Sequence, residues 1–182
     1  IGPLTNLAEL AVRFPELKDK CRIVWLGGSI YQGYLNQTAA TNDFNTAQDP
    51  AALDVLLQSG FKLVLAPLDV CRDFVIEGDN FAALKASLNP YAQNALAFYR
   101  EWHGRYHGGA IKYDPDTASG ILYDLVPFVY LTDETLFLKK SLSIVCDKNG
   151  YTRIDPAGFP VDSLMRIDKD AALSVVTRVF TA

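Results

Sequence analysis

The chain has 182 residues, 49% hydrophobic and 21% charged, with a formal net charge of −4. This composition supports a buried core and is too apolar for a disordered chain. The acidic balance excludes nucleic acid or an anionic membrane surface as the main partner, and no apolar run approaches the roughly 18 residues that span a bilayer. No basic region followed by an apolar stretch marks a secretory signal, so a cytoplasmic location is expected. The first residue is not Met, which reads as a processed chain or a fragment.

In chain order, Asn6 with Glu9 three residues later resembles a capping box before the run Leu7 to Leu17, predicting a helix. Arg22-Ile-Val-Trp-Leu-Gly-Gly28 is a continuous apolar run closed by glycines, as in a strand buried on both faces. Residues 29 to 48 are polar and fit neither period. Asp49 as N-cap and Pro50 at the first helical position open a helix to about Gln58, and Phe61 to Ala66 is a second buried strand running into Pro67-Leu-Asp-Val70. Helices are predicted at 79–87, 90–106, from Asp114-Pro115 toward Leu125, and from Asp168 to Phe180. Leu136 to Cys146 reads as a strand followed by a Lys148-Asn149-Gly150 turn. This alternation is that of a single α/β domain over 1–182. Its working residues belong in loops beyond the carboxyl ends of strands, here after Gly28 and after Leu68.

Cys21, Cys71 and Cys146 form no C-x-x-C pair and read as reduced, mostly buried thiols. Asp43 and Asn45 are two apart, so in an extended segment both point to one side. A carboxylate and an amide converging there suit a polyhydroxylated ligand, while Asx turns in a solvated loop explain the same residues structurally. Asp114 caps a predicted helix or serves as a hard-metal ligand, although one carboxylate is far short of the roughly 6 to 8 oxygens of a calcium site. His103 and His107, four apart, lack an evident third zinc ligand and read as a helix end near a pocket. No nucleophile elbow, P-loop or dinucleotide fingerprint occurs.

Taken in order, several segments resemble the inosine-uridine-preferring nucleoside hydrolase family: Gly2-Pro-Leu-Thr-Asn-Leu-Ala8, Trp25-Leu-Gly-Gly28, Asn42-Asp-Phe-Asn45 with Asp49-Pro-Ala-Ala52, and Pro67-Leu-Asp-Val70. Asn89-Pro90, Asp114-Pro115 and Tyr151-Thr-Arg153 follow in the family's order. The resemblance implies an open, mostly parallel Rossmann-like α/β sheet flanked by helices. It implies calcium at the strand ends and hydrolysis of the ribose–base bond of ribonucleosides in purine and pyrimidine salvage. The metal would orient and acidify a water while gripping ribose hydroxyls, and the sugar would pass through an oxocarbenium-like state.

Carried over by residue, Asp114 matches the late calcium-ligating aspartate and Ile1 the residue whose backbone carbonyl reaches the metal. Asn45 matches a ribose-binding asparagine, and Asp43 stands in place of the family's ribose-binding glutamate, one methylene shorter. Asn36 matches an upstream asparagine with one residue of extra spacing, Gln37 being the ungapped alternative. Tyr113 replaces a histidine next to the metal aspartate and, neutral at pH 7, donates a hydrogen bond to the departing base rather than supplying a proton. Tyr106 or His107 offers another contact to the base.

The family's N-terminal run of the type Asp-x-Asp-x-Gly-x-Asp-Asp is absent, and the chain resembles the C-terminal portion of a member. The expectation is therefore an N-terminal polypeptide segment that completes the metal site, an isolated chain without activity, and a homo- or hetero-oligomer covering the open sheet edge. The alternative is an inactive nucleoside hydrolase-like protein that binds a nucleoside, a sugar or a protein partner.

Overall fold

The hydrophobic pattern resolves into alternating helices and strands. The computed structural model describes residues 1–35, 37–105 and 113–181. Its elements are α1 (Thr5–Arg13), β1 (Arg22–Leu26), α2 (Phe44–Gln48), α3 (Pro50–Gln58), β2 (Lys62–Ala66), α4 (Leu68–Cys71), α5 (Gly78–Ala86), α6 (Pro90–Arg105), α7 (Leu125–Thr132), β3 (Phe137–Cys146), β4 (Thr152–Ile154), β5 (Phe159–Ile167) and α8 (Lys169–Thr181). They group into two compact units, one formed by Ile1–Arg72 with Tyr123–Ile167 and the other by Asp73–Leu122 with the segment from Asp168 onward.

The first unit holds a five-stranded mixed sheet in the order β1-β2-β5-β3-β4. β1 runs parallel to β2 from Arg22↔Lys62 to Leu26↔Ala66, and β2 runs parallel to β5. β3 pairs antiparallel with both β5 and β4. Burial explains the division. β2 is buried at Leu63 through Ala66, as a parallel strand covered on both faces requires. In β3, Leu142 and Ile144 are buried while Lys139 and Ser141 are exposed, the alternation of an antiparallel strand with one wet face. Ile23, Trp25, Leu63 and Leu65 join Ala8 and Ala11 of α1 and Leu53, Leu56 and Leu57 of α3 in one apolar cluster. Each such large side chain contributes roughly 1.5–3 kcal/mol on burial.

Local signals hold at several places. Asp49 accepts from the Ala52 N–H at 3.1 Å with Pro50 at the first helical position, as predicted. The turn after β3 closes through Gly150 N–H to the Asp147 carbonyl at 2.9 Å, with φ +82° at Gly150. A Cβ there would stand 2.8 Å from the Ala47 backbone, so only glycine fits.

Two predicted elements move. α1 starts at Thr5 with no side-chain cap, so the Asn6–Glu9 box is unused; the Thr5 hydroxyl instead donates to Asp49 Oδ2 at 2.5 Å, tying two of the recurring segments together. The helix expected from Asp114 is one turn, with Thr117 and Ala118 N–H donating to the Asp114 carbonyl. Ala118 then bridges Glu77, Ser119 N–H donates to Ile76 and Leu122 N–H to Phe74, both at 2.8 Å. The buried run Phe74-Val-Ile76 is aromatic and β-branched; it takes this chain as an extended partner, and that pairing overrides helix initiation. The helix appears later, at α7.

In the second unit α8 buries Ala172, Leu173, Val176 and Thr177 along one face, the spacing of an amphipathic helix. Of the thiols, Cys71 is buried, Cys146 half-buried and Cys21 exposed. Burial pushes the Cys146 thiol up to about 12, which makes it inert at neutral pH.

Candidate functional site

Because β1 and β2 are parallel, both carboxyl ends open on the same side. Two glycines follow β1, and the indole of Trp25 explains the first of them. Trp25 is 2% exposed, and a Cβ on Gly27 would lie 2.1 Å from its ring. The indole Nε1 donates to the Gly2 carbonyl at 2.7 Å. The N-terminal segment is thereby fastened to the end of β1, one residue from Ile1, which is itself exposed.

Asp43 and Asn45 come together at this end, in a geometry different from the extended one. Asp43 is the N-cap of α2 and Asn45 lies in its first turn. The Asp43 carboxylate is 1% exposed and accepts from Gly28 N–H at 2.5 Å, Asn45 N–H at 2.9 Å, Thr46 N–H at 3.4 Å and the Thr46 hydroxyl. Asn45 Nδ2 donates to the Leu26 carbonyl at 2.9 Å. These bonds knit the end of β1 to the start of α2.

Burial raises the Asp43 pKa, and the three N–H donors pull against that shift. A carboxyl whose folded pKa lies above its unfolded value holds its proton to higher pH when folded, so its contribution to stability declines as pH rises through that interval. The Tm of the wild type minus that of Asp43→Asn is therefore expected to fall as pH rises from about 4. Thermal melts of both proteins across the acid range test this, and a difference that grows with pH contradicts it.

Three residues to which the sequence assigned no role complete the arrangement. Asp69, in α4, accepts from the N–H groups of Ile30 at 2.8 Å, Tyr31 at 2.7 Å and Gln32 at 3.1 Å. Thr152 of β4, 1% exposed, accepts from Ser29 N–H and donates to the Ser29 carbonyl, both at 2.9 Å. Arg72 donates to the carbonyls of Leu35 and Gln37. The advance signals were position and motif: Asp69 and Arg72 lie in the segment beyond Leu68, and Asp69 and Thr152 fall within Pro67-Leu-Asp-Val70 and Tyr151-Thr-Arg153. The Gln37 side chain turns back to accept from Tyr34 N–H at 3.2 Å. Asn36, Tyr106 and His107 lie outside the described residues.

In the second unit Asp114 is exposed and its Oδ1 accepts from Asp116 N–H at 2.9 Å. The neighbouring Tyr113 phenol is held above its ordinary pKa by burial and then by the negative charges of Glu77 and Asp73, so it stays protonated well beyond neutral pH. His103 sits edge-on to Tyr99, ring centroids 6.1 Å apart. Among the described residues no three His, Cys, Asp or Glu side chains gather as metal ligands. One exposed carboxylate and a main-chain carbonyl fall short of the oxygen set calcium requires, so the described residues by themselves do not fit that ion.

The profile of the family described as inosine-uridine preferring nucleoside hydrolase matches residues 1–179. The chain is 37% identical over 129 residues to the pyrimidine-specific ribonucleoside hydrolase RihA of Enterobacter sp. (strain 638), covering 66% of this chain and 40% of that protein. It is 29% identical over 190 residues to the non-specific ribonucleoside hydrolase RihC of Salmonella paratyphi A (strain ATCC 9150 / SARB42), covering 99% and 58%. Among solved structures, the purine-preferring ribonucleoside hydrolase from Gardnerella vaginalis matches with a TM-score of 0.81 at 21% identity, over 100% of this chain and 58% of that one. The plant nucleoside hydrolase PpNRh1 matches with a TM-score of 0.80 at 22% identity, over 100% and 60%. At these identities the two structures show a shared fold. The chain spans about half the length of the curated relatives it matches.

Proposed function

The chain belongs to the inosine-uridine preferring nucleoside hydrolase family, and from that premise we propose that the protein, completed by an N-terminal segment, hydrolyses the N-glycosidic bond of ribonucleosides to ribose and free base. The observation that carries this reading is the knot at the carboxyl end of β1. There Asn45 commits its amide nitrogen to the Leu26 carbonyl, leaving its amide oxygen to accept from a ribose hydroxyl. Asp43 acts by holding that helix start in place. Tyr113 keeps its proton and donates a hydrogen bond to the departing base, a weaker service than full protonation.

Calcium belongs to the same proposal. Asp114 and the Ile1 carbonyl would be this chain's contribution to it, and the remaining oxygens would come from the N-terminal segment. Such a bound ion supplies a polarised, more acidic water. Two facts favour a further segment or a second subunit as partner: the chain covers 58% of the full-length RihC relative, and among the described residues β1 pairs only with β2, leaving a parallel strand at a sheet edge. A cytoplasmic location is part of the same proposal; no helix among the described residues is long and apolar enough to cross a membrane.

The test is ribose and base release by the full-length protein from inosine, uridine, adenosine and cytidine, with added calcium and again with a chelator. Calcium-dependent release of ribose is the expected result. Nucleoside binding without release would support the second reading, a ligand-binding member of the family. The complete use of the Asp43 carboxylate in capping bonds favours that alternative.

A further inference from the structure

Arg72 occupies the residue after α4 and is half-buried. One guanidinium nitrogen donates to the Gln37 carbonyl at 2.8 Å and another to the Leu35 carbonyl, so the side chain grips the main chain on either side of position 36. At the Leu35 contact the backbone is under strain: Leu35 has φ +47°, the one positive value at a non-glycine residue among the described residues. A branched side chain holds that conformation only where its surroundings impose it. The planar fork of a guanidinium offers a separate nitrogen to each carbonyl, whereas a lysine would have to serve both from one ammonium nitrogen.

The grip is transmitted. Gln37 Oε1 accepts from Tyr34 N–H at 3.2 Å, and the Tyr34 hydroxyl accepts from Phe44 N–H at 2.7 Å. Phe44 is the first residue of α2, next to Asn45. Asp69, one turn before Arg72, meanwhile holds residues 30 to 32 by three N–H bonds. A single short helix after β2 thus holds both arms of the loop that leads to Asn45.

We propose that Arg72 is a positioning residue for the nucleoside's sugar, setting substrate affinity by holding the Leu35 and Gln37 carbonyls and, through the Gln37 side chain and Tyr34, the start of α2. This rests on the hydrolase reading above. Pre-organising a ligand-binding loop lowers the ordering cost of binding, and when ground state and transition state are affected alike the change appears in KM and not in kcat.

The experiment compares full-length wild type, Arg72→Met and Arg72→Lys with inosine and uridine. The expected result for Arg72→Met is a KM raised about 10-fold with kcat within about 2-fold of wild type, a change of about 1.4 kcal/mol in binding. Arg72→Lys keeps the charge and the stem, yet should recover only part of the affinity. Millimolar guanidinium should lower the KM of Arg72→Met and leave that of wild type unchanged. An unchanged KM with a reduced kcat or folded fraction, or a full recovery by Arg72→Lys, overturns the proposal. If wild type shows no turnover, the hydrolase reading fails separately, and the dissociation constant of inosine takes the place of KM. Wild type that neither hydrolyses nor binds inosine removes both readings.

Discussion

Asp114→Ala in the full-length protein is expected to lower kcat/KM for ribonucleosides by roughly 10³-fold, the several kcal/mol that a metal-borne charge contributes to a transition state. Stability should barely move. Asp114 is exposed, and among the described residues its carboxylate makes one structural bond, to Asp116 N–H, whose loss costs about 1 kcal/mol or less. Calcium affinity measured calorimetrically should fall in parallel with activity. Asp114→Asn keeps the capping bond and loses the charge, so it should behave like the alanine variant. Full activity in either variant would remove Asp114 from the proposed metal site.

The largest expected effect on stability comes from Trp25→Ala. Trp25 is 2% exposed within the apolar cluster of α1, α3 and the sheet, and its indole bond to Gly2 anchors the N-terminal segment. Truncating a buried large aromatic costs about 3–5 kcal/mol, which lowers Tm by roughly 10 °C in a protein of this size. Trp25→Phe retains most of the ring volume and removes only the bond to Gly2. It should cost less stability, and its effect should fall on calcium affinity if the Ile1 carbonyl reaches the ion. Denaturant unfolding of both variants decides the point; a loss below about 1 kcal/mol for Trp25→Ala would show that the core repacks around the cavity.

Much of this structure was legible in the chain itself. β1 and β2 announced themselves as continuous apolar runs ended by Gly27 and by Pro67, α3 by Asp49-Pro50, and β3 by its alternation, because each pattern is a local consequence of burial or of backbone chemistry. Positions beyond the strand ends pointed to the site for the same reason, since a parallel pair opens both carboxyl ends on one side. β4 and β5 carried no comparable signal. β4 is three residues long, and β5 takes its place by pairing between β2 and β3, which no local period encodes.

The candidate site shows the same division. Residue types and their order named Asp43, Asn45 and Asp114 as candidates, and the alternation of apolar runs and helix starts set an α/β chain whose composition is acidic. Tertiary structure decided what those side chains do. Asp43 turns inward because four donors from Gly28, Asn45 and Thr46 converge on it, a convergence that requires the end of β1 to meet the start of α2. Asp69, Arg72 and Thr152 act on residues 35 to 123 positions away in sequence. Hydrogen bonds of that span leave no trace in periodicity, because they depend on where the sheet brings distant main chain together rather than on what its neighbours along the chain are.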